Sequence, residues 1–334
     1  MKALVAHQFG PVDALTIDDT PVPVAGPHEI LIDVAAAAIN FPDVLVIEGR
    51  YQVKPPLPFV PGKELAGVVA AVGAQVVGFQ VGDRVMALVE YGAFSEKVAV
   101  RSSLCFKVPR AVPLVHAAGI GLAYQTAHFA LHHRGNLRAG ETVLVTAANG
   151  SVGLAAMQLA KAAGANVIGV VNGESKKDIV LENGADSAAV FNDDIDPKEF
   201  RAAVKELGGS RGVNLLVDSA GGSTFENCLR TVGWEGRAII VGFTTGEIPA
   251  LRTNYLLIKN IAALGLQWSD YRERDPELVS RVQQEIFSLF EQGKLKFQLM
   301  GSYPFSEFRE AFRALAGRRT RGKIVLEFGP TPVS

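Results

Sequence analysis

The stretch from Val143 to Gly164, VLVTAANGSVGLAAMQLAKAAG, constrains the fold more than any other part of the chain. Val143-Leu144-Val145 has the length and β-branching of a buried strand. A turn of small residues follows, with Gly150 and Gly153 three apart and Ala147 three before them. Leu154 to Lys161 then continue as good helix formers and stop at Gly164. Strand, glycine turn and helix in that order suit a dinucleotide pyrophosphate. Gly150 lets the backbone approach the phosphates, Gly153 lets helix and strand pack closely, and the helix N-terminus offers N–H groups and a positive dipole end. The pattern is A-x-x-G-x-x-G rather than G-x-G-x-x-G, and an ordinary βα turn rich in small residues shares it. The rest of the chain has to decide between them.

A chain of 334 residues suggests two domains. With 48% hydrophobic residues, a net charge of −1 and no basic block, it has ample core and no reason to seek nucleic acid or an anionic membrane. Cys105 and Cys228 lie too far apart for a C-x-x-C metal site or a disulfide framework. Met1 to Leu15 lacks the apolar run of a signal peptide, and no stretch is long enough to span a bilayer. A cytoplasmic protein is expected.

The first 120 residues read as β-rich. Strands are predicted at Met1–Ala6, Glu29–Ala37, Gly67–Val72, Arg84–Leu88 and Phe94–Val100, separated by Gly, Pro and Asp turns. The run Lys54 to Pro61 is too proline-dense to be anything but extended. From Ala117 the pattern alternates. A helix to His133 is followed by strand 143–146, helix 152–163, strand 166–171, helix 174–183, strand 188–191 and helix 197–207. Strand 213–218, helix 223–232 and strands 237–241 and 261–266 complete the series, which describes βαβ units on a parallel sheet. Pro276–Gln292 is an amphipathic helix, and Lys323–Phe328 returns to strand character.

Several spaced motifs carry a resemblance. They are Asn40-Phe41-Pro42-Asp43, Gly49-Arg50-Tyr51, Pro58-Phe59-Val60-Pro61-Gly62-Lys63-Glu64-Leu65-Ala66-Gly67 and Val81-Gly82-Asp83-Arg84-Val85. After these come Gly92-Ala93-Phe94-Ser95-Glu96, the turn Ala147 to Gly153, and Arg321-Gly322-Lys323-Ile324-Val325-Leu326. Over essentially its whole length the chain resembles the medium-chain dehydrogenase/reductase superfamily, and within it the zinc-independent quinone oxidoreductase branch. That resemblance implies an α/β protein. A GroES-like β-barrel domain would hold residues 1–123 and 265–334, and a Rossmann doubly wound parallel-sheet domain binding NADP(H) would hold 124–264.

Zinc members of the superfamily place a ligand Cys near the position of Asn40, and Gly-His-Glu where this chain has Gly62-Lys63-Glu64. Catalytic zinc needs about three N, S or O protein ligands. Here the Cys is missing and Lys63, a cation, stands at the His. The four-cysteine lobe expected after Arg84-Val85 is missing too. His128 and His132 lie four apart on a helix without the Glu of H-E-x-x-H, and read as packed or solvated helix residues. No zinc and no flavin are expected.

An NAD-selective Rossmann domain carries Asp or Glu about 20 residues past the glycine turn, on the ribose hydroxyls. Asn172 stands there, and Lys176 and Lys177 open the next helix, where a lysine neutralises a 2′-phosphate. Glu174 argues the other way if the turn is read two residues later, and paired lysines at an exposed helix start are commonplace. The balance is NADPH over NADH. The resemblance implies further cofactor contacts from Thr126, Asn149, Gly150, Ser151, Val152, Gly221, Gly242, Phe243 and Thr244, and from Asn40, Phe41 and Lys323 of the other domain. The active site is then expected in the cleft between the domains.

Hydride transfer without a metal calls for an electron-poor, conjugated acceptor such as a quinone, an enone or an enoyl thioester. A donor near the developing oxyanion and a proton source complete the reduction. Tyr51 and Asn40 are the catalytic candidates. Tyr51 reads equally well as a loop tyrosine over the barrel rim, and Leu45 stands where many relatives carry a second tyrosine. Trp268 and Tyr271 join Tyr51 as candidate walls of the substrate pocket, or are core or dimer-contact aromatics. Lys63 suits an anionic substrate or an ion pair. A trans-2-enoyl thioester reductase is the second enzyme reading, with Arg50, Lys54 and Arg272 as cations for a carrier phosphate. A non-catalytic NADPH-binding protein of structural or regulatory role is the third. The apolar edge strand 261–266 suggests a homodimer, as in the resembled family.

Overall fold

The structure is a computed structural model in which residues 1–316 and 321–329 are described. The first strands are β1 (Lys2–Val5), β2 (Thr16–Asp19), β3 (Glu29–Ile39), β4 (Glu64–Val72), β5 (Arg84–Leu88), β6 (Lys97–Arg101) and β7 (Cys105–Lys107). Then come β8 (Thr142–Val145), β9 (Asn166–Val171), β10 (Ser187–Val190), β11 (Val213–Asp218), β12 (Val232–Ile240), β13 (Ala262–Gly265), β14 (Leu299–Pro304) and β15 (Lys323–Glu327). Helices are α1 (Phe41–Ile47), α2 (Leu114–His128), α3 (Ser151–Ala162), α4 (Lys177–Glu182) and α5 (Pro197–Leu207). They continue with α6 (Gly222–Leu229), α7 (Asn254–Lys259), α8 (Tyr271–Arg274), α9 (Pro276–Glu291) and α10 (Phe308–Ala316). Two compact units result: residues 1–122, 274–291, 299–316 and 321–329 form one, and residues 123–273 and 292–298 the other.

The first unit is built on β3, whose side chains alternate between half-buried and buried over its first half, as a strand with one covered face requires. Its sheet runs β14-β15-β3-β4-β5-β7, with β6 also paired to β3. The C-terminal segment returns as β15, antiparallel to β3 with Ile324 opposite Ile39 and Leu326 opposite Ala37. Leu4, Ile30, Ile32, Leu65 and Ile324 fill the core. There Phe94 meets Phe312 edge-on, with ring centroids 6.0 Å apart. The strand predicted from Phe94 begins at Lys97 instead. Ser95 bridges Ala3 in the antiparallel sense, and its hydroxyl donates to the carbonyls of Gly92 and Lys97. Short α1 escapes periodicity because seven residues give too few turns to count. Pro42 is tolerated there because a first-turn proline forfeits no intrahelical bond.

The second unit holds a wholly parallel sheet in the order β10-β9-β8-β11-β12-β13. Numbered from β8, this is the 3-2-1-4-5-6 order of a doubly wound dinucleotide fold. All four residues of β8 are buried, as expected of a strand covered on both faces. The predicted helix 117–133 is α2 followed by a π-helical turn over Phe129–Arg134. The predicted helix 223–232 stops at Leu229, because Val232 already pairs with Val213 in the sheet. Among the described residues no helix is long and apolar enough to cross a membrane.

Candidate active site

In an open parallel sheet, ligands bind beyond the carboxyl ends of the strands where the strand order reverses, here between β8 and β11. Those two ends are tied together. The Thr146 hydroxyl donates to Asp218 Oδ1 at 2.6 Å, and the N–H groups of Ser219 and Ala220 donate to Thr146 Oγ1 at 3.0 and 3.2 Å. The Gly221 N–H donates to Asp218 Oδ2 at 3.0 Å. Burial pushes the Asp218 carboxyl up to about 6, and the hydroxyl and N–H donors pull it back. A short run of apolar residues that ends in a buried polar one, Val143-Leu144-Val145 before Thr146 and Leu215-Leu216-Val217 before Asp218, is the signal that would have found these two residues from sequence.

Ala147 follows in a left-handed conformation, φ 46°. Its carbonyl accepts the Gly150 N–H at 2.9 Å. A Cβ on Gly153 would lie 2.5 Å from the Ala147 carbonyl oxygen and 2.7 Å from Ala148 Cα, so only glycine lets α3 start this close to the turn. A Cβ on Gly150 would meet that one carbonyl, at 3.2 Å, and otherwise point into open space. Ser151 and Val152 form the first turn of α3, which no side chain caps. Such an end accepts an anion.

Beside this turn the Ser219 hydroxyl is buried with no hydrogen-bond partner among the described residues. The Thr244 N–H donates to the Ser219 carbonyl at 2.9 Å, which brings the Gly242-Phe243-Thr244 turn alongside. Thr126 and Asn149 are buried in the same unit. At the end of β9, Lys176 Nζ donates to Asn172 Oδ1 at 2.7 Å. Glu174 pairs instead with Lys177, at 2.9 Å. An uncapped helix end, an open glycine and a partnerless buried hydroxyl fit a dinucleotide. Of these, Ser219 is the residue that sequence reasoning passed over.

The first unit contains a second polar centre. Lys323 Nζ lies 2.6 Å from Glu64 Oε1 and also donates to Asn40 Oδ1, with Lys323 and Glu64 only 3% and 0% exposed. Asn40 Nδ2 donates to Glu64 Oε1 at 3.0 Å, and the Leu122 N–H donates to Glu64 Oε2 at 2.9 Å. Lys63 is 2.6 Å from Glu90 Oε1 and 4.6 Å from the centre of the Tyr51 ring. Asp43, fully buried, accepts the Asn40 N–H on Oδ2 at 2.7 Å. Burial pushes its carboxyl up to about 7, with Lys63 the strongest influence the other way. Phe41 opens α1 and is exposed. Asn40, Tyr51, Lys63, Glu64 and Lys323 thus belong to one neighbourhood. Among the described residues no three His, Cys, Asp or Glu side chains form a group able to hold a metal.

The two remaining candidates sit in packed surroundings in the second unit. Trp268 is buried with Arg272 over its ring at 5.7 Å, and its Nε1 has no partner among the described residues. Tyr271 packs on Phe129 at 4.7 Å and edge-on against His133 at 5.2 Å.

Two family profiles match the chain. One, described as an alcohol dehydrogenase GroES-like domain, covers residues 26–110, and the other, described as a zinc-binding dehydrogenase, covers residues 151–284. The chain is 38% identical over 307 residues to a quinone oxidoreductase-like protein 2 homolog of Nematostella vectensis, spanning 90% of this chain and 82% of that protein. It is 31% identical to human quinone oxidoreductase, spanning 98% of this chain and 97% of that one. The crystal structure of Escherichia coli quinone oxidoreductase complexed with NADPH superposes with a TM-score of 0.88 at 28% identity, covering 98% of this chain and 100% of that chain.

Proposed function

Because the chain belongs to the quinone oxidoreductase branch of the medium-chain dehydrogenase/reductase superfamily, we propose that it is an NADPH-dependent reductase of a quinone or related conjugated carbonyl, working without zinc. One observation carries the reading. Three adjacent strand ends of the doubly wound sheet bring together the uncapped start of α3, the partnerless Ser219 hydroxyl and the Asn172–Lys176 pair. The α3 turn with Gly150, Ser151 and Val152 takes the pyrophosphate. Lys176, steered by Asn172, takes the 2′-phosphate, and Ser219 with Thr126, Asn149, Gly221 and the Gly242–Thr244 turn holds the remainder. When bound, NADPH supplies the hydride.

Tyr51 donates a hydrogen bond toward the acceptor oxygen, where negative charge grows. Asn40, whose amide N–H groups already serve Glu64 Oε1 and the Ala38 carbonyl, sets the polarity around it. Lys323 holds Asn40 from one side and Lys63 backs Tyr51 from the other. This donor set does not suit zinc. Two ammonium groups occupy the neighbourhood, and Glu64 is already bound to Lys323, Asn40 and the Leu122 N–H. The profile described as zinc-binding matches only residues 151–284, away from these positions. For the thioester reading, Arg50 is paired with Glu48 at 3.0 Å, and Arg272 is spent on Trp268 and the Ser269 carbonyl, so two of its three cations are already engaged. A homodimer through β13 is part of the proposal. That strand is the sheet edge, and Leu257 and Ile258 beside it in sequence are 77% and 69% exposed.

The test is NADPH oxidation against a panel of benzoquinones, an α,β-unsaturated aldehyde and crotonyl-CoA. Turnover fastest on the quinones or the aldehyde supports the proposal. Preference for crotonyl-CoA replaces it with thioester reduction, and tight NADPH binding with no turnover on any acceptor replaces it with a non-catalytic role.

A further inference from the structure

The buried polar centre of the first unit has one carboxylate too many. Lys323 is matched to Glu64 and Lys63 to Glu90. Asp43 is the third acid, 1% exposed, and no cation among the described residues donates to it. Its Oδ2 accepts the Asn40 N–H, while its Oδ1 has no partner among the described residues. A shielded carboxylate oxygen with no donor costs far more than a neutral acid in the same place. With a proton on Asp43 the five ionisable side chains sum to zero. Without it they sum to −1.

We propose that Asp43 works as a neutral acid and is a positioning residue for hydride transfer, setting the charge behind Asn40 and Tyr51. The proposal rests on the reductase reading above. Hydride addition leaves negative charge on the acceptor oxygen, and a proton from solvent then completes the reduction. Asn40 donates its N–H to Asp43, and Lys63, the cation that acts most strongly on Asp43, lies over the Tyr51 ring. An ionised Asp43 would add a full charge of the wrong sign in a water-poor interior, where such a charge is weakly screened. The neighbouring groups pull in both directions. Lys63 and Lys323 favour ionisation, Glu64 opposes it, and Glu90 offsets Lys63. Burial outweighs them and lifts the carboxyl to about 7, within reach of physiological pH.

The experiment compares the parent with Asp43→Asn, which is uncharged at every pH. Single-turnover oxidation of bound NADPH by a benzoquinone is followed from pH 5.5 to 9, and the carboxylic-acid C=O band is followed by infrared difference spectroscopy over the same range. In the parent the rate should be level below about 7. Above that it should fall roughly tenfold per pH unit. The acid band should vanish with the same midpoint. Asp43→Asn, whatever its absolute rate, should run level and lack the band. A fall that persists in Asp43→Asn overturns the proposal, as does a parent rate level to pH 9 or a parent with no acid band at pH 6. If Asp43→Asn does not fold, the parent decides alone: different midpoints for rate and band overturn the proposal. An active enzyme without the band defeats this proposal only. No turnover with any acceptor defeats the reductase reading as well.

Discussion

Lys176 reaches back over a tight turn and places its ammonium 2.7 Å from the Asn172 amide oxygen, at the carboxyl end of β9. A carboxylate at that end would repel a 2′-phosphate, whereas an amide adds no negative charge beside the lysine. Lys176→Ala should therefore lower the preference for NADPH over NADH. One charge-assisted hydrogen bond is worth about 1.5 kcal/mol, or roughly tenfold in the ratio of dissociation constants. Fluorescence titration with both nucleotides reads it, and an unchanged ratio removes Lys176 from the phosphate site.

The Lys323–Asn40–Glu64 cluster joins residues 283 positions apart and holds the returning strand at its buried end. Removing one partner of a buried pair leaves the other charged and unmatched, which costs about 3–5 kcal/mol. Lys323→Met should lower stability to denaturant by that order, and Glu64→Gln in the same chain should recover a large part of it. If Lys323→Met is neutral, the pair is not structural.

How far such features could be read in advance follows from their physics. The parallel sheet was legible because each strand is a short apolar run and each helix long enough to show its period. β8, β9 and β11 fall within a residue of their predicted bounds. β14 is largely half-buried and β7 has three residues, so neither carries a pattern. The glycine turn was legible because local backbone geometry demands it. The ties between Thr146 and Asp218, or among Asn40, Glu64 and Lys323, were not, since they are long-range pairings that no spacing encodes.

Ala147 stands in the left-handed region, where a β-carbon costs about 1–2 kcal/mol. Ala147→Gly should relieve that strain, less the extra chain entropy glycine loses on folding, for a net gain of about 0.5–1 kcal/mol. Ala147→Val should cost more than 1 kcal/mol, because a β-branched residue tolerates this conformation least. Thermal denaturation of the three chains gives the order Gly, Ala, Val. Any other order means that the turn relaxes.

An apolar edge needs a cover. Leu257→Glu should shift the protein from dimer to monomer, since a charge buried at an interface without a partner opposes association by several kcal/mol. Light scattering on size-exclusion fractions reads the mass directly. A parent that is already monomeric at micromolar concentration ends the dimer proposal.

His128, at the end of α2, provides a pH test of packing. Burial drives its imidazole down to about 4, and the neighbouring His133 adds to the effect. A histidine whose folded value lies below the unfolded 6.5 or so favours the native state when neutral. Its contribution is present in full above about 6.5 and is lost as the pH falls through 6.5 toward 4. The whole swing is on the order of 2–3 kcal/mol, with about half of it gone by pH 5. Stability should therefore drop between pH 7 and pH 4.5 in the parent and drop less in His128→Gln, which cannot take the proton. Denaturant midpoints at the two pH values give the comparison. Equal drops in the two proteins would mean that His128 is protonated in the folded state without cost, and that the aromatic packing around α2 is looser than its burial implies.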